Sequence, residues 1–333
     1  ASPTDMWSEG GGRQPPCLRV RRSVRASFPA TSVEGAVKGS RGAVIATIAA
    51  GLLWGSSFTV VKIGLRSIDP FWFVFLRFAL ASVLAVLVCV LTGRSGHLRA
   101  FLRNPLVLWL GISNAAGFLF QFKGQTMTSA SNAALLINAS TIFVAVASGL
   151  FFRERFGIMK VLSVLVGMVG VFLVTTGGRP SMEGGAALQG DLLVLTAAFL
   201  WTFFILLDKK IVASGPADVP ALTAAMVTVT AVSALPVALV LGDGGLPTPS
   251  AGLWAVPYTA VFCTVAPFFL WTWGLKRITA TTSSVVLLTE AVFALALASM
   301  VLGERLSIAA LAGSALILGA VALASRENVG EPV

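Results

Sequence analysis

Phe71–Leu91 reads FWFVFLRFALASVLAVLVCVL, and Arg77 is its one charged residue. At about 1.5 Å of rise per residue, this segment as an α-helix is about 30 Å long, the thickness of a bilayer's hydrocarbon core. It has no alternation that would wet one face of a strand and no polar stripe that would wet one face of a surface helix. Lipid is the solvent that fits it.

Nine further runs have the same character, and the ten are approximately Ala43–Val61, Phe71–Leu91, Pro105–Phe122, Ala130–Phe152, Ile158–Thr175, Leu192–Leu207, Val219–Leu241, Leu253–Leu275, Thr279–Leu302 and Ile308–Ala324. Short loops join them, leaving no room for a soluble domain. Hydrophobic residues make up 56% of the 333 and charged ones 11%, against about a quarter charged in a soluble domain. The predicted fold is an all-α membrane protein with ten transmembrane helices. Residues 1–41 hold Gly10–Gly12, Pro15, Pro16 and several arginines with no apolar run, and predict a disordered basic tail rather than a secretory signal. Residues 326–333 form a short C-terminal tail.

The net charge is +10. The basic residues flank apolar runs or lie in the tail, so they read as topology signals facing anionic headgroups and not as a nucleic-acid surface. With the N-terminus in the cytoplasm, the outer ends hold only Lys62, Arg66, Lys123, Arg179 and Arg305 of the 24 Lys and Arg. Both termini are then expected inside, at a cell inner membrane.

The chain resembles itself. A shift of 150 places Gly124 on Gly274, Ala130 on Ala280, Phe143 on Phe293, Glu154 on Glu304, Arg155 on Arg305 and Ile158 on Ile308, without a gap. A shift of 147 places Trp54 on Trp201 and Lys62 on Lys209. Five spans per unit is odd, so the units (42–176 and 190–325) must cross in opposite directions. Two inverted five-helix repeats are an architecture of secondary transporters, with the substrate site near the midplane.

Several classes are disfavoured. His97 is the only histidine, Cys17, Cys89 and Cys263 are far apart, and no GxxxxGK[ST] run occurs. Neither a metal, a cofactor, a Ser/His/Asp set nor ATP hydrolysis is expected. A channel-like protein, or a membrane-embedded enzyme or scaffold, is the alternative to a carrier. The partners expected are a small solute and membrane lipid, with a homodimer left open.

Trp54-Gly55-Ser56-Ser57-Phe58 followed by Lys62, Asp69-Pro70-Phe71, and Leu76-Arg77-Phe78-Ala79 resemble the first two helices of EamA-like proteins of the drug/metabolite transporter superfamily. Phe152-Arg153-Glu154-Arg155 and Leu302-Gly303-Glu304-Arg305 are similar to that family's signature near each repeat's fourth helix. Thr289-Glu290-Ala291-Val292-Phe293 is similar to its Glu-Pro-Val-Phe pattern, with Ala291 where the family usually has Pro. Without that Pro a kink in span nine loses its usual cause. The resemblance spans roughly residues 42–324. It implies export or exchange of metabolites such as amino acids, nucleosides or drugs by alternating access.

Candidate solute-binding residues are the polar groups inside spans. Glu290 lies about 16 Å into span nine, near the bilayer middle, where an acid usually faces an interior cavity. It could exchange a proton, meet a cationic group, or be a structural acid. Arg77, about 9 Å into span two, could pair with Glu290, bind a substrate carboxylate or phosphate, or snorkel to the headgroups. Ser131, Asn138 and Thr141 share one face of span four, and Ser283 lies seven residues before Glu290 in span nine. These could line a solute path or tie helices together. Trp54 and Trp201 could form an aromatic wall, or pack as core and interface residues. Lys62 and Lys209 are expected to snorkel, and the Thr47, Gly51, Gly55 face to pack helices.

Overall fold

The computed structural model describes residues 30–128, 136–151, 157–176, 186–215, 217–243, 252–302 and 307–327, and every regular element among them is a helix. These are α1 Ala30–Gly64, α2 Pro70–Leu91, α3 Ser95–Leu102, α4 Pro105–Gln125, α5 Ser140–Phe151, α6 Ile158–Thr176, α7 Ala186–Ala213 and α8 Val219–Leu241. The span α9 runs Ala255–Leu275. The span α10 comes in two pieces, Ala280–Leu287 and Thr289–Leu302, and α11 is Ile308–Glu327. Among the described residues nine helices are long and apolar enough to cross a membrane, and the shorter apolar helix Leu136–Phe151 makes the tenth crossing. α1 starts at Ala30, inside the stretch expected to be tail.

The span starts are written locally. Asp69 accepts from the N–H of Phe71 (2.9 Å) and Trp72 (3.2 Å), with Pro70 in the first turn where its missing N–H costs nothing. Asn104-Pro105 repeats the device for α4, and Asp218, with Pro220 behind it, repeats it for α8. The Asp-Pro-Phe motif is thus a helix start.

The packing partners follow a two-fold pattern. α2 lies against α8 and α6 against α11, while α1 packs on α9 and α10 as α7 packs on α4 and α5. Exchanging the halves maps this set of pairs onto itself, as two inverted five-helix repeats require. The short helix α3, which no span reading predicted, lies against α8. Large apolar side chains point outward: Val83, Leu91, Leu150, Leu239 and Val240 are 63–79% exposed, a surface that lipid tails cover.

Gly51 and Gly55 let α1 approach α10, as their spacing predicts. A Cβ on Gly51 would meet Thr289 Oγ1 at 3.0 Å, and one on Gly55 would meet the Glu290 carbonyl at 2.8 Å and Phe293 Cβ at 3.1 Å. Gly55→Leu is expected to destabilise the protein by about 1–3 kcal/mol through overpacking. Gly96→Ala, with nothing within 4 Å, should leave the melting temperature of the purified protein unchanged. Equal melting temperatures for both variants would show that the α1–α10 contact tolerates a side chain.

Candidate functional site

The site is assembled around a defect in α9. Pro267 has no N–H to give to the Cys263 carbonyl four residues back. The helix widens there into a π turn over Val261–Val265, and Thr264 Oγ1 donates to Thr259 O at 2.9 Å. The freed Cys263 carbonyl accepts from Trp54 Nε1 (3.1 Å) and Arg77 Nη2 (2.5 Å), while Arg77 Nε donates to Thr264 Oγ1 (2.7 Å). The guanidinium also lies 4.8 Å from the Phe118 ring centre. Arg77 is therefore 1% exposed and does not snorkel; it bonds α2 to α9, and it feels the charge of Glu290 without a contact as close as an ion pair. Π turns often mark functional sites, because they expose backbone acceptors inside a bundle.

Two further irregularities face each other. In α10, Thr289 Oγ1 donates to the Val286 carbonyl at 2.8 Å, the acceptor that Glu290 N–H would otherwise use. The ladder tightens there, with Leu288 N–H on Val285 O and Ala291 N–H on Leu288 O, both at 3.1 Å. Span nine is thus interrupted without a proline, at Leu288. In the first half the same tightening occurs at Ala139, whose N–H reaches Leu136 O (3.1 Å) and whose carbonyl accepts from Ile142 N–H (3.0 Å).

Between the two breaks lies a cavity of about 110 Å³. Glu290, Arg77, Asn138, Thr141, Trp54 and Trp201 all line it, so six of the eight sequence candidates meet there. Ser283 does not: it is fully buried and accepts from Trp271 Nε1 at 2.9 Å, because the break in α10 turns its neighbour Ser284 to the cavity instead. Ser131 lies outside the described residues, as do Glu154, Arg155, Glu304 and Arg305. Ser57, Gln125, Ser140 and Trp271 were missed and also line the space. Gln121, which lines it too, accepts from Trp201 Nε1 at 3.4 Å. Asn114 instead ties α4 to α8 through Thr230 Oγ1 at 3.0 Å.

The walls are aromatic. Trp54 lies 5.2 Å from Phe268 and 6.1 Å from Trp271, and Trp201 lies 4.8 Å from Phe118 and 5.4 Å from Phe204. Among the described residues no hydrogen bond or ion pair engages the Glu290 carboxylate. The lining reaches Val61 and Gln125 at the ends of α1 and α4. At the opposite end the helices are tied shut. Lys209 is buried and donates to Leu275 O (3.1 Å) and Ile278 O (2.9 Å), so it caps α9 and does not snorkel. Beside it Asp208 accepts from Thr272 Oγ1 at 2.9 Å.

Residues 41–176 and 188–326 each match the family model described as the EamA-like transporter family. The chain belongs to the EamA-like transporter family. The match comes as two copies, one per half, in agreement with the duplicated packing. An uncharacterized transporter of Archaeoglobus fulgidus is 29% identical over 76% of this chain and 87% of its own length. A Salmonella typhimurium protein named a "probable amino-acid metabolite efflux pump" is 26% identical over 80% of this chain and 89% of its own. One crystal structure superposes with a TM-score of 0.73 at 20% identity, covering 85% of this chain and 96% of that one, which shows a shared fold. This EamA-like protein is a multi-pass membrane transporter.

Proposed function

We propose that this protein is a secondary transporter exporting or exchanging small amine-bearing metabolites or drugs, amino acids among them, by alternating access at an inner membrane. The observation that carries this reading is the Glu290 carboxylate, which no hydrogen bond or close ion pair engages among the described residues, in a cavity walled by Trp54, Trp201 and Trp271. A carboxylate supplies the ion pair for an ammonium group, and the indole faces add cation–π attraction while packing its apolar body. For a zwitterion, the carboxylate end would meet Asn138, Gln121 and the guanidinium edge of Arg77 that α9 leaves unused. The Salmonella relative's printed name agrees with this class.

Alternating access is supported by the asymmetry of one duplicated framework. The cavity lining runs towards the ends of α1 and α4, while Lys209 and Asp208 tie the other end. Arg94, Lys276 and Arg277 cluster near that tied end, which the charge rule places in the cytoplasm. On this reading the cavity is accessible from outside and both termini lie inside. Protons compete with the solute's amine for Glu290, which would couple export to a proton gradient.

The test is counterflow in proteoliposomes with labelled amino acids, monovalent organic amines, nucleosides and organic acids, with and without a pH gradient. Saturable movement of amine-bearing solutes, faster with the gradient, is the expected result. Preference for organic acids would overturn the assignment to Glu290. Flux that never saturates would restore the channel reading.

A further inference from the structure

We infer a second binding site, for the headgroup of an anionic phospholipid, in an open hollow at the tied end of the bundle. The hollow is formed where the C-terminus of α9 meets the N-terminus of α8 and the turn after α2. It is lined by Arg94, Lys276 and Arg277, with Asp218, Phe269 and Trp273. Three cations therefore face one carboxylate.

Each cation is positioned with donors to spare. Arg277 lies flat on Trp273, 3.9 Å from its ring centre, and spends one N–H on the Trp273 carbonyl at 2.8 Å. Lys276 Nζ gives one N–H to Ala217 O at 3.2 Å. Arg94 Nε lies 3.3 Å from Asp218, which His97 also contacts at 2.9 Å. Asp218 thus holds Arg94 in place but is shared between two partners and capping α8. The remaining guanidinium and ammonium hydrogens suit the oxygens of a phosphodiester.

The aromatic side of the hollow selects a lipid over a free anion. Phe269 is one turn from Trp273 on α9 and 38% exposed, and Phe262, two turns further along the same helix, is 49% exposed. An acyl chain leaving a phosphate bound at Arg277 would run along this apolar strip into the hydrocarbon, whereas a soluble anion would leave it bare. Basic pockets at the ends of transmembrane helices, fronted by an interfacial Trp, have the chemistry for anionic headgroups.

The experiment is native mass spectrometry of the purified full-length chain titrated with phosphatidylglycerol or phosphatidylcholine. Three forms are compared: the parent, Arg277→Gln, and Arg94→Gln/Lys276→Gln/Arg277→Gln. The parent should retain one phosphatidylglycerol tightly and no phosphatidylcholine. Each lost cation should weaken that retention about fivefold. Arg277→Gln is informative by itself because its one hydrogen bond is to its own helix, so folding does not depend on it. Lys123→Gln, at the other end of the bundle, should change nothing. Equal retention of the two lipids, undiminished retention by both variants, or displacement by millimolar glycerol phosphate would overturn the site.

Discussion

Glu290→Gln should lower transport of amine-bearing solutes by about 10- to 100-fold and abolish its response to an imposed pH gradient. A hydrogen bond to a charged group contributes about 1.5–3 kcal/mol, and each 1.4 kcal/mol is a factor of ten. Glutamine keeps the size of the side chain and an oxygen acceptor but cannot carry the charge that an ammonium group needs, nor release a proton. Folding should survive, because no described residue bonds to the carboxylate and the cavity is already open to it. Glutamine also avoids the solvation cost of a carboxylate in the bundle interior, which offsets the lost attraction to Arg77, so the variant should melt close to the parent. Glu290→Asp, which keeps the charge but retracts it, should recover part of the transport and all of the pH response. Unchanged gradient-driven transport by Glu290→Gln would remove Glu290 from the coupling step and leave it a wall residue.

Glu290 and Arg77 line the cavity, as an interior position for a membrane-depth charge predicts, whereas Ser283 and Lys209 are buried elsewhere. Ten spans and their duplication are written in long apolar runs and a fixed spacing, signals that survive without any knowledge of packing. An acid at membrane depth is equally legible, since lipid forbids it an outward position. The direction of a hydroxyl is different. Ser283 shares a seven-residue spacing with Glu290, but the helix is interrupted at Leu288 between them, so the spacing no longer puts both on one face. That break is invisible to a rule that looks for proline. The π turn of α9 was half visible: Pro267 announces a lost bond, but only the fold shows that Trp54 and Arg77 take the freed Cys263 carbonyl. Lys209, at the end of an apolar run, looked like an interfacial lysine because nothing in the sequence says that α9 ends beside it.

Lys209→Met is expected to open the tied end. The last carbonyls of a helix have no N–H partner of their own, and a cation there satisfies both the hydrogen bonds and the dipole. Lys209 supplies this to Leu275 and Ile278, joining α7 to the end of α9 with two charge-assisted bonds. Methionine keeps the length and apolar stem of the side chain and loses both bonds, so the closed arrangement should weaken about tenfold or more relative to the opposite one. The repeat sharpens the expectation. Lys62 is the counterpart of Lys209, and Gln125 and Thr128 are the counterparts of Leu275 and Ile278 at the end of α4. In the opposite state Lys62 would cap those carbonyls, so Lys62→Met should bias the protein the other way. The readout is labelling of a Ser283→Cys reporter, with Cys17, Cys89 and Cys263 replaced, by a membrane-impermeant thiol reagent in oriented vesicles. Ser283 is now fully buried behind Trp271. Labelling from the Lys209 side should be about tenfold faster in Lys209→Met, restored by Lys209→Arg, and slower than the parent in Lys62→Met. If both methionine variants accelerate labelling alike, the two lysines hold the bundle together in every state and the alternation of caps is wrong.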